Sequence, residues 1–173
     1  MQTAGKCSET GVNFIKIIIF SDSHGNSANM KKVIENTLPT TELYIHCGDG
    51  IEEFNALRTS YPERGFVCVR GNSDYFVAGE VFDTVLDLDG YRTLITHGHR
   101  YVDLLNLAKA RDCKVVLSGH THERSYEYTD GVYLFNPGSI SRPRDGKAPS
   151  YGVMEIRNGI LFSHGEIELF TKI

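Results

Sequence analysis

The sequence predicts a mixed α/β fold in which two packed β-sheets are flanked by helices. Its first half alternates short β-branched runs with helix-like segments, which is typical of β-α repeats with a parallel sheet. Its second half contains paired alternating segments joined at Asp-Gly or Asn-Gly, which predicts antiparallel hairpins. At 173 residues and 40% hydrophobic content, the chain has the length of one domain.

The β-α repeats begin with the run FIKIIIF, which predicts a buried strand over Phe14–Phe20. A helix is expected over about Ala28–Asn36, where the apolar residues fall on one side. The same order repeats with a strand over Leu43–Cys47, a helix over Ile51–Thr59 and a strand over Phe66–Arg70.

Three hairpins follow, and a further helix and strand separate the first from the second. The first hairpin, at Asp89-Gly90, has the sequence of a type I′ turn. The others are expected at Asp130-Gly131 and Asn158-Gly159. The helix is predicted over Val102–Ala110 and the strand over Lys114–Leu117.

The termini, the charge and the cysteines limit the classes of protein to consider. We expect a flexible tail over residues 1–13 and a single domain over residues 14–173. No apolar run approaches the roughly 18 residues that span a bilayer, and no signal peptide is evident. The four cysteines form no C-x-x-C pair, which favours a cytoplasmic protein. A net charge of -4 gives no general attraction to nucleic acid or to a membrane.

Polar side chains that can bind metal ions follow five of the predicted strands. Because ligands bind at the carboxyl ends of strands in α/β sheets, these side chains should converge on one site. Nitrogen and oxygen ligands without thiolate suit Mn²⁺, Fe²⁺, Co²⁺, Ni²⁺ or Zn²⁺. Two such ions would outweigh the charges of the aspartates and attract a phosphate. The residues are Asp22 and His24 in FSDSH, Asp49 in CGDG, Asn72 and Asp74 in RGNSD, His97 and His99 in ITHGH, and His120 and His122 in LSGHTH.

Each motif taken alone also fits a turn or a helix cap, and it is their number and order that favour a metal site. Asp74 is better suited to orient a ligand than to bind metal itself. Ser73 is interpreted as a spacer, and His46 and His164 as structural. Three arginines are candidates for a phosphate clamp, with exposure to solvent as the alternative: Arg124, Arg142 and Arg144.

The motifs DSH, GD, GNSD, HGH and GHTH resemble those of the calcineurin-like metallophosphoesterases, and FNPGSISRPR resembles the small single-domain phosphodiesterase branch of bacteria and archaea. The resemblance implies a four-layer sandwich of two mixed β-sheets packed face to face and flanked by helices. It also implies two divalent metal ions, with Mn²⁺ expected first and Ni²⁺, Fe²⁺, Co²⁺ or Zn²⁺ as alternatives. One ion would be held by Asp22, His24, Asp49 and His122, and the second by Asp49, Asn72, His97 and His120, so that Asp49 bridges them.

The activity implied is hydrolysis of a small phosphodiester by a hydroxide that bridges the two ions. Asn72, His97, Asp74 and His99 form the expected catalytic set. In many relatives a histidine thought to protonate the leaving group stands where this chain has Ser73. Its absence favours diesters or activated esters, because poor leaving groups need an acid.

Several alternatives remain at this point. The fold could serve as a non-catalytic scaffold, as in the retromer subunit that resembles the family, but all seven expected ligand positions hold competent residues here. A phosphomonoesterase and a nuclease are further alternatives, although the chain has no basic stripe for nucleic acid. Tyr75 and Phe76 could form the interface of a homo-oligomer or cap the core.

Overall fold

The computed structural model of the protein describes residues 14–75 and 79–168, so the predicted tail over 1–13 and the aromatic residue Phe76 lie outside the described residues. The helices are α1 (Ser27–Thr37), α2 (Ile51–Ser60) and α3 (Leu104–Ala110), and a short 3-10 helix spans Leu38–Thr40. The strands are β1 (Ile15–Phe20), β2 (Leu43–His46), β3 (Gly65–Cys68), β4 (Asp83–Leu88), β5 (Tyr91–Thr96), β6 (Val115–Leu117), β7 (Arg124–Thr129), β8 (Val132–Pro137), β9 (Ser150–Ile156) and β10 (Ile160–Glu166).

These strands form two mixed five-stranded sheets, which confirms the predicted fold class. The first sheet has the order β10-β9-β1-β2-β3, in which β1, β2 and β3 are parallel and the β9–β10 hairpin is added antiparallel to β1. The second has the order β4-β5-β6-β8-β7, with β5, β6 and β8 parallel and an antiparallel strand at each edge.

The alternation of side chains along β1 shows how the sheets pack. Ile17 and Ile19 lie in the core cluster that also contains Ile95 and Leu117 of the second sheet. The residues between and after them, Ile18 and Phe20, pack with the buried faces of α1 and α2. A strand that is apolar on both faces is therefore buried on both faces, as the run FIKIIIF predicts.

The outer face of the second sheet is covered by α3. Leu94 of β5 and Val116 of β6 pack there with Ala108 of the helix. The order of layers is therefore helix, sheet, sheet, helix. Helices α1 and α2 cover the outer face of the first sheet, and α3 covers the outer face of the second.

The predicted elements are present, with differences at their ends. Helix α3 begins two residues later than predicted, because the Asp103 side chain accepts the backbone N–H of Asn106 and caps the helix there. Val102 is left fully exposed. The third strand ends at Cys68 because the N–H of Arg70 donates to the carbonyl of Val81 instead of continuing the sheet.

The hairpins divide into two kinds. Asp89 and Gly90 both have positive φ angles, 52° and 86°, as a type I′ turn requires, and Asp130-Gly131 has the same arrangement. In the third hairpin Ile156 pairs with Ile160, so the connection has three residues. None of the helices in the described part of the chain is long and apolar enough to span a membrane.

Candidate metal centre

The predicted ligands lie in the loops that directly follow β1, β2, β3, β5 and β6. Parallel strands within each sheet bring these loops to the same end of the sandwich. The contacts confirm this convergence: His97, which follows β5 of the second sheet, lies against Asp22 and Asp49, which follow β1 and β2 of the first.

Ligand atoms gather in two groups that share Asp22. One group contains Asp22, His24 and His122, and the other contains Asp22, Asp49 and His97; within each group the ligand atoms lie within 4.8 Å of one another. Oδ1 of Asp22 is 3.3 Å from Nε2 of His122 and 3.9 Å from Nε2 of His97. This carboxylate therefore lies between the two groups.

Asp49 also contacts both groups. Its Oδ2 atom is 3.9 Å from Nε2 of His24 and 3.5 Å from Nε2 of His97. This is the position that a bridging carboxylate needs, and the resemblance assigned that role to Asp49 alone. The structure adds Asp22 as a second carboxylate between the groups.

Asn72 and His120 lie at the border of the group that contains His97. Oδ1 of Asn72 is 3.1 Å from Nε2 of His97. The ring centroids of His120 and His97 are 5.2 Å apart, and the same distance for His99 and His97 is 5.3 Å. The candidate histidines after β5 and β6 therefore lie together. His99 and His120 are next to His97, and His122 is next to Asp22.

The orientation of two imidazoles suits metal binding. Nδ1 of His97 is 2.8 Å from the carbonyl of Cys47, and Nδ1 of His122 is 2.7 Å from the carbonyl of Arg142. A carbonyl only accepts, so Nδ1 carries the proton in each ring. Nε2, with its lone pair in the neutral ring, then faces the aspartates, as in metal sites whose histidines are held by a carbonyl.

Oδ1 of Asp22 provides a direct test of whether a cation fits. This atom is buried and has no hydrogen-bond partner in the part of the chain that the structure describes, which is costly for a carboxylate oxygen. Burial acts to raise the pKa of Asp22, but contact with His122 and the charge of His97 outweigh it and lower that pKa below its ordinary value. An ionised oxygen among imidazole nitrogens is a suitable ligand for a divalent ion.

The backbone is unusual at five of the seven predicted ligands. A positive φ is uncommon for residues other than glycine and concentrates at functional positions. Here it would aim neighbouring side chains at one point. The five residues are Asp22 (54°), His24 (44°), Asp49 (59°), His120 (73°) and His122 (61°).

Asp74 holds the loop that carries Asp49. Its two carboxylate oxygens accept the backbone N–H groups of Asp49, Gly50, Ile51 and Gly71 at 2.8 to 3.2 Å. Both oxygens are thus occupied beneath the site, where Asp74 is buried. The contacts fit the orienting role that the sequence favoured for this residue.

Ser73 does more than the spacer role that the sequence indicated, and this is a correction. Its backbone N–H donates to Oδ1 of Asp49 at 2.7 Å, and its hydroxyl donates to Oδ2 at 2.9 Å. The sequence offered no signal for this, because a serine in a GNSD turn is ordinary. The contact depends on the turn folding back onto the preceding loop.

His46 connects three parts of the site from below. It is fully buried, its Nδ1 accepts the N–H of Gly48, and its Nε2 is 3.0 Å from the hydroxyl of Ser23. That hydroxyl donates to Glu53 at 2.7 Å, and Glu53 also accepts the N–H of Gly25. The sequence interpretation of His46 as structural misses that it supports the loops carrying the ligands.

Of the three arginines considered for a phosphate clamp, Arg124 is committed elsewhere. It forms ion pairs with Asp145 and Glu166. Arg142 and Arg144 are exposed and belong to the segment that packs on His122, since the N–H of Arg144 donates to the carbonyl of that histidine at 2.9 Å. Arg142 and Arg144 therefore remain the candidates. His164 bonds the carbonyl of Asn136, in keeping with a structural role.

Comparison with known families agrees with this geometry. Residues 15–159 match the calcineurin-like phosphoesterase superfamily domain. The chain belongs to this superfamily. A protein of Bacillus subtilis named as a probable metallophosphoesterase is 33% identical over 152 residues, which cover 83% of this chain and 86% of that protein. A phosphodiesterase of Methanocaldococcus jannaschii is 30% identical, over 82% of this chain and 93% of the relative.

Solved structures of the superfamily share the fold. A predicted phosphoesterase of Streptococcus pneumoniae aligns with a TM-score of 0.77 and 26% identity, over 94% of this chain and 97% of that one. Vacuolar protein sorting 29 of Cryptosporidium parvum aligns with a TM-score of 0.69 and 15% identity, over 89% of this chain and 99% of that one. The second likeness concerns the fold alone.

Proposed function

We propose that this metallophosphoesterase is a phosphodiesterase that hydrolyses a small phosphodiester with the help of two divalent metal ions. The observation that carries the proposal is the environment of Asp22 Oδ1, a buried carboxylate oxygen that lies between two groups of ligand atoms and has no hydrogen-bond partner among the described residues. A cation at that position would relieve the cost of burying this oxygen. We expect Mn²⁺ first, as the family resemblance implies, and oxygen and imidazole ligands without thiolate suit Mn²⁺ as well as Fe²⁺, Co²⁺, Ni²⁺ and Zn²⁺.

Divalent ions bound there would supply positive charge for the phosphoryl oxygens and make water a stronger nucleophile. The protein itself fixes the ligands before an ion binds. His97 and His122 are held by backbone carbonyls, and Asp49 is held by Ser73 and by the loop on Asp74. Such preorganisation avoids reordering the site during reaction.

In the hydrolysis that we propose, the oxygen of water forms a bond to phosphorus while the bond from phosphorus to the leaving oxygen breaks. The attacking water gives up one proton, and the electron pair of the broken bond stays on the leaving oxygen, which takes up a proton and departs as an alcohol. We assign this proton transfer to His99, whose ring is 5.3 Å from that of His97 and 6.1 Å from that of His120. We assign attraction of the phosphate to Arg142 and Arg144, whose backbone bonds His122.

A diester is favoured over a monoester by two features. The Ser73 hydroxyl donates to Asp49 and is not directed to a leaving group, so no strong acid stands at that position. A diester with a good leaving group needs less help from an acid than an alkyl monoester does. The phosphodiesterase of Methanocaldococcus jannaschii that is similar to this chain supports the same choice.

The proposal is tested by hydrolysis of bis-p-nitrophenyl phosphate and p-nitrophenyl phosphate by metal-stripped protein with Mn²⁺ added back. The matched variant carries Asn72→Ala and His97→Ala. Turnover of the diester that requires the ion and is lost in the variant is expected. A folded protein that hydrolyses neither ester with any divalent ion would reject the proposal and favour a scaffold of the same fold.

A further inference from the structure

A groove of about 410 Å³ opens beside the metal centre. Gly98, Gly119 and His120 line one end of it, so the groove begins at a predicted ligand. The loop at this end is held rigidly, because buried Asn136 donates from Nδ2 to the carbonyl of Gly119 at 2.9 Å and to the hydroxyl of Thr121 at 3.2 Å. The groove is thus a formed feature of the fold, and it borders the candidate metal centre at His120.

Apolar side chains stand exposed at its rim. Val102, left outside α3 by the cap at Asp103, is fully exposed, and Leu104 at the start of α3 is half-buried. Both residues line the groove, and so does Leu134 of β8, whose side chain lies on the α3 side of the sheet. Exposed apolar side chains around a concave surface next to a reactive centre are typical of a ligand site.

The charge of the groove limits what it can hold. None of the described residues that line it is a lysine or an arginine, and Glu127 contributes a carboxylate. A second phosphate or another anionic group would find no partner there, and the carboxylate would repel it. An uncharged group with an apolar surface fits.

The other cavity at the centre has different chemistry. It measures about 270 Å³ and is lined mainly by polar side chains, among them the carboxylates of Asp49, Glu52 and Glu53, with Tyr75 as the aromatic side chain at its border. Apart from contact with Tyr75, a flat apolar ring would bury little hydrophobic surface there, and it would lie among carboxylates. The groove beside His120 is therefore the better place for such a ring.

We propose that this groove binds the second ester group of the substrate, and that this group is an uncharged alcohol bearing a flat ring. The inference rests on the proposed phosphodiesterase function, since a monoester has no second ester group to place there. Burying the ring against Val102 and Leu134 would lower KM or raise kcat through contacts distant from phosphorus. The groove thus defines a substrate class: diesters with one ring-bearing, uncharged arm.

The kinetic test compares two esters that share the leaving group p-nitrophenol. They are the p-nitrophenyl ester of thymidine 5′-phosphate and methyl p-nitrophenyl phosphate. With the Mn²⁺-loaded protein we expect kcat/KM to be at least roughly tenfold higher for the thymidine ester, because the ring is buried in the groove. A ratio near one would overturn the proposal.

Two tryptophan variants on β7 sharpen this comparison. Ser125 lines the groove, so Ser125→Trp would fill it and bring the ratio close to one. Tyr128 is 57% exposed on the same strand and does not line the groove, so Tyr128→Trp should leave the ratio unchanged. Equal ratios in the unmodified protein and in Ser125→Trp would contradict the assignment.

A binding measurement without metal separates the groove from the activity. Thymidine, an uncharged ring-bearing alcohol, is titrated into the metal-stripped protein while NMR follows the methyl groups of Val102 and Thr121. Saturable shifts that are lost in Ser125→Trp are expected. If neither ester is hydrolysed but these shifts occur, the proposed function fails and the groove stands; if the shifts are absent, the groove assignment fails.

Discussion

The Ser73 hydroxyl donates a hydrogen bond to Oδ2 of Asp49, the oxygen that also lies within 4 Å of Nε2 of His24 and of His97. Groups that orient a metal ligand in this way affect the affinity of the metal. Ser73→Ala should therefore weaken Mn²⁺ binding by about tenfold, measured by calorimetric titration of the metal-stripped protein.

Two variants control this prediction. Ser73→Thr keeps the hydroxyl and should restore most of the affinity. Ser60→Ala removes an exposed serine of α2, whose hydroxyl bonds only the helix backbone among the described contacts, and should change nothing. Equal affinities in Ser73→Ala and the unmodified protein would show that the hydroxyl does not orient Asp49.

Asp74 should contribute to stability as well as to the site. Asp74→Asn replaces one acceptor oxygen by an NH₂ group, so that backbone N–H groups now bonded to it lose their partner or face a donor. We expect the free energy of unfolding of the metal-free protein to fall by about 1–3 kcal/mol in urea titrations. Asp89→Asn, in an exposed turn, is the matched control and should have little effect. Equal losses in the two variants would refute the special role of Asp74.

Gly71 leaves the space that the Asp49 carboxylate occupies. A Cβ at this position would lie 2.0 Å from Oδ1 of Asp49 and 2.5 Å from its backbone nitrogen. Gly71→Ala should cost about 1–3 kcal/mol of stability through overpacking and should weaken metal binding although no ligand is replaced. Gly159→Ala meets nothing within 4 Å and serves as the control in thermal unfolding and Mn²⁺ titration. Unchanged metal affinity in Gly71→Ala would contradict the described packing.

His46 should make stability depend on pH. Burial lowers its pKa from 6.5 to about 4, against the opposing charges of Asp74 and Glu53. Between these two pH values His46 takes up a proton in the unfolded chain but not in the folded protein. The free energy of unfolding therefore falls as the pH drops from 6.5 to 4, and the contribution of His46 becomes constant below pH 4. The full effect is about 3 kcal/mol at most.

The measurement is the free energy of unfolding of metal-free protein between pH 4 and pH 7, compared with that of His46→Gln. The glutamine can keep a donor and an acceptor but cannot titrate. As the pH falls from 6.5 to 4, the free energy of unfolding should therefore decrease more in the unmodified protein than in His46→Gln. A difference that is constant with pH would show that His46 is not buried in its neutral form.

The residues of the candidate metal centre could be predicted because each follows a strand whose apolar pattern is strong. Asp22 after FIKIIIF and His97 after the Asp89-Gly90 hairpin are examples, and the parallel strands bring them together. Their supports could not be predicted. The bonds from Ser73 to Asp49 and from His46 to Ser23 depend on how loops fold onto one another, which hydrophobic periodicity does not encode.

The groove beside His120 was missed for a similar reason. Its lining combines Val102, exposed by a late start of α3, with Leu134 from strand β8. The start of the helix depends on the cap at Asp103, and helix ends are the least certain part of a sequence-based assignment. The shared position of Asp22 between two ligand groups likewise needed coordinates.

The central claim is that Asp22, which is shared by the two groups of ligand atoms, holds divalent ions. The most direct measurement is the number of Mn²⁺ ions bound per chain by metal-stripped protein, determined by equilibrium dialysis and elemental analysis, for the unmodified protein, Asp22→Asn and the exposed control Asp89→Asn. Two ions in the unmodified protein and the control, with fewer and weaker in Asp22→Asn, are predicted. No bound ion in the unmodified protein, or two bound equally tightly by Asp22→Asn, would contradict the claim.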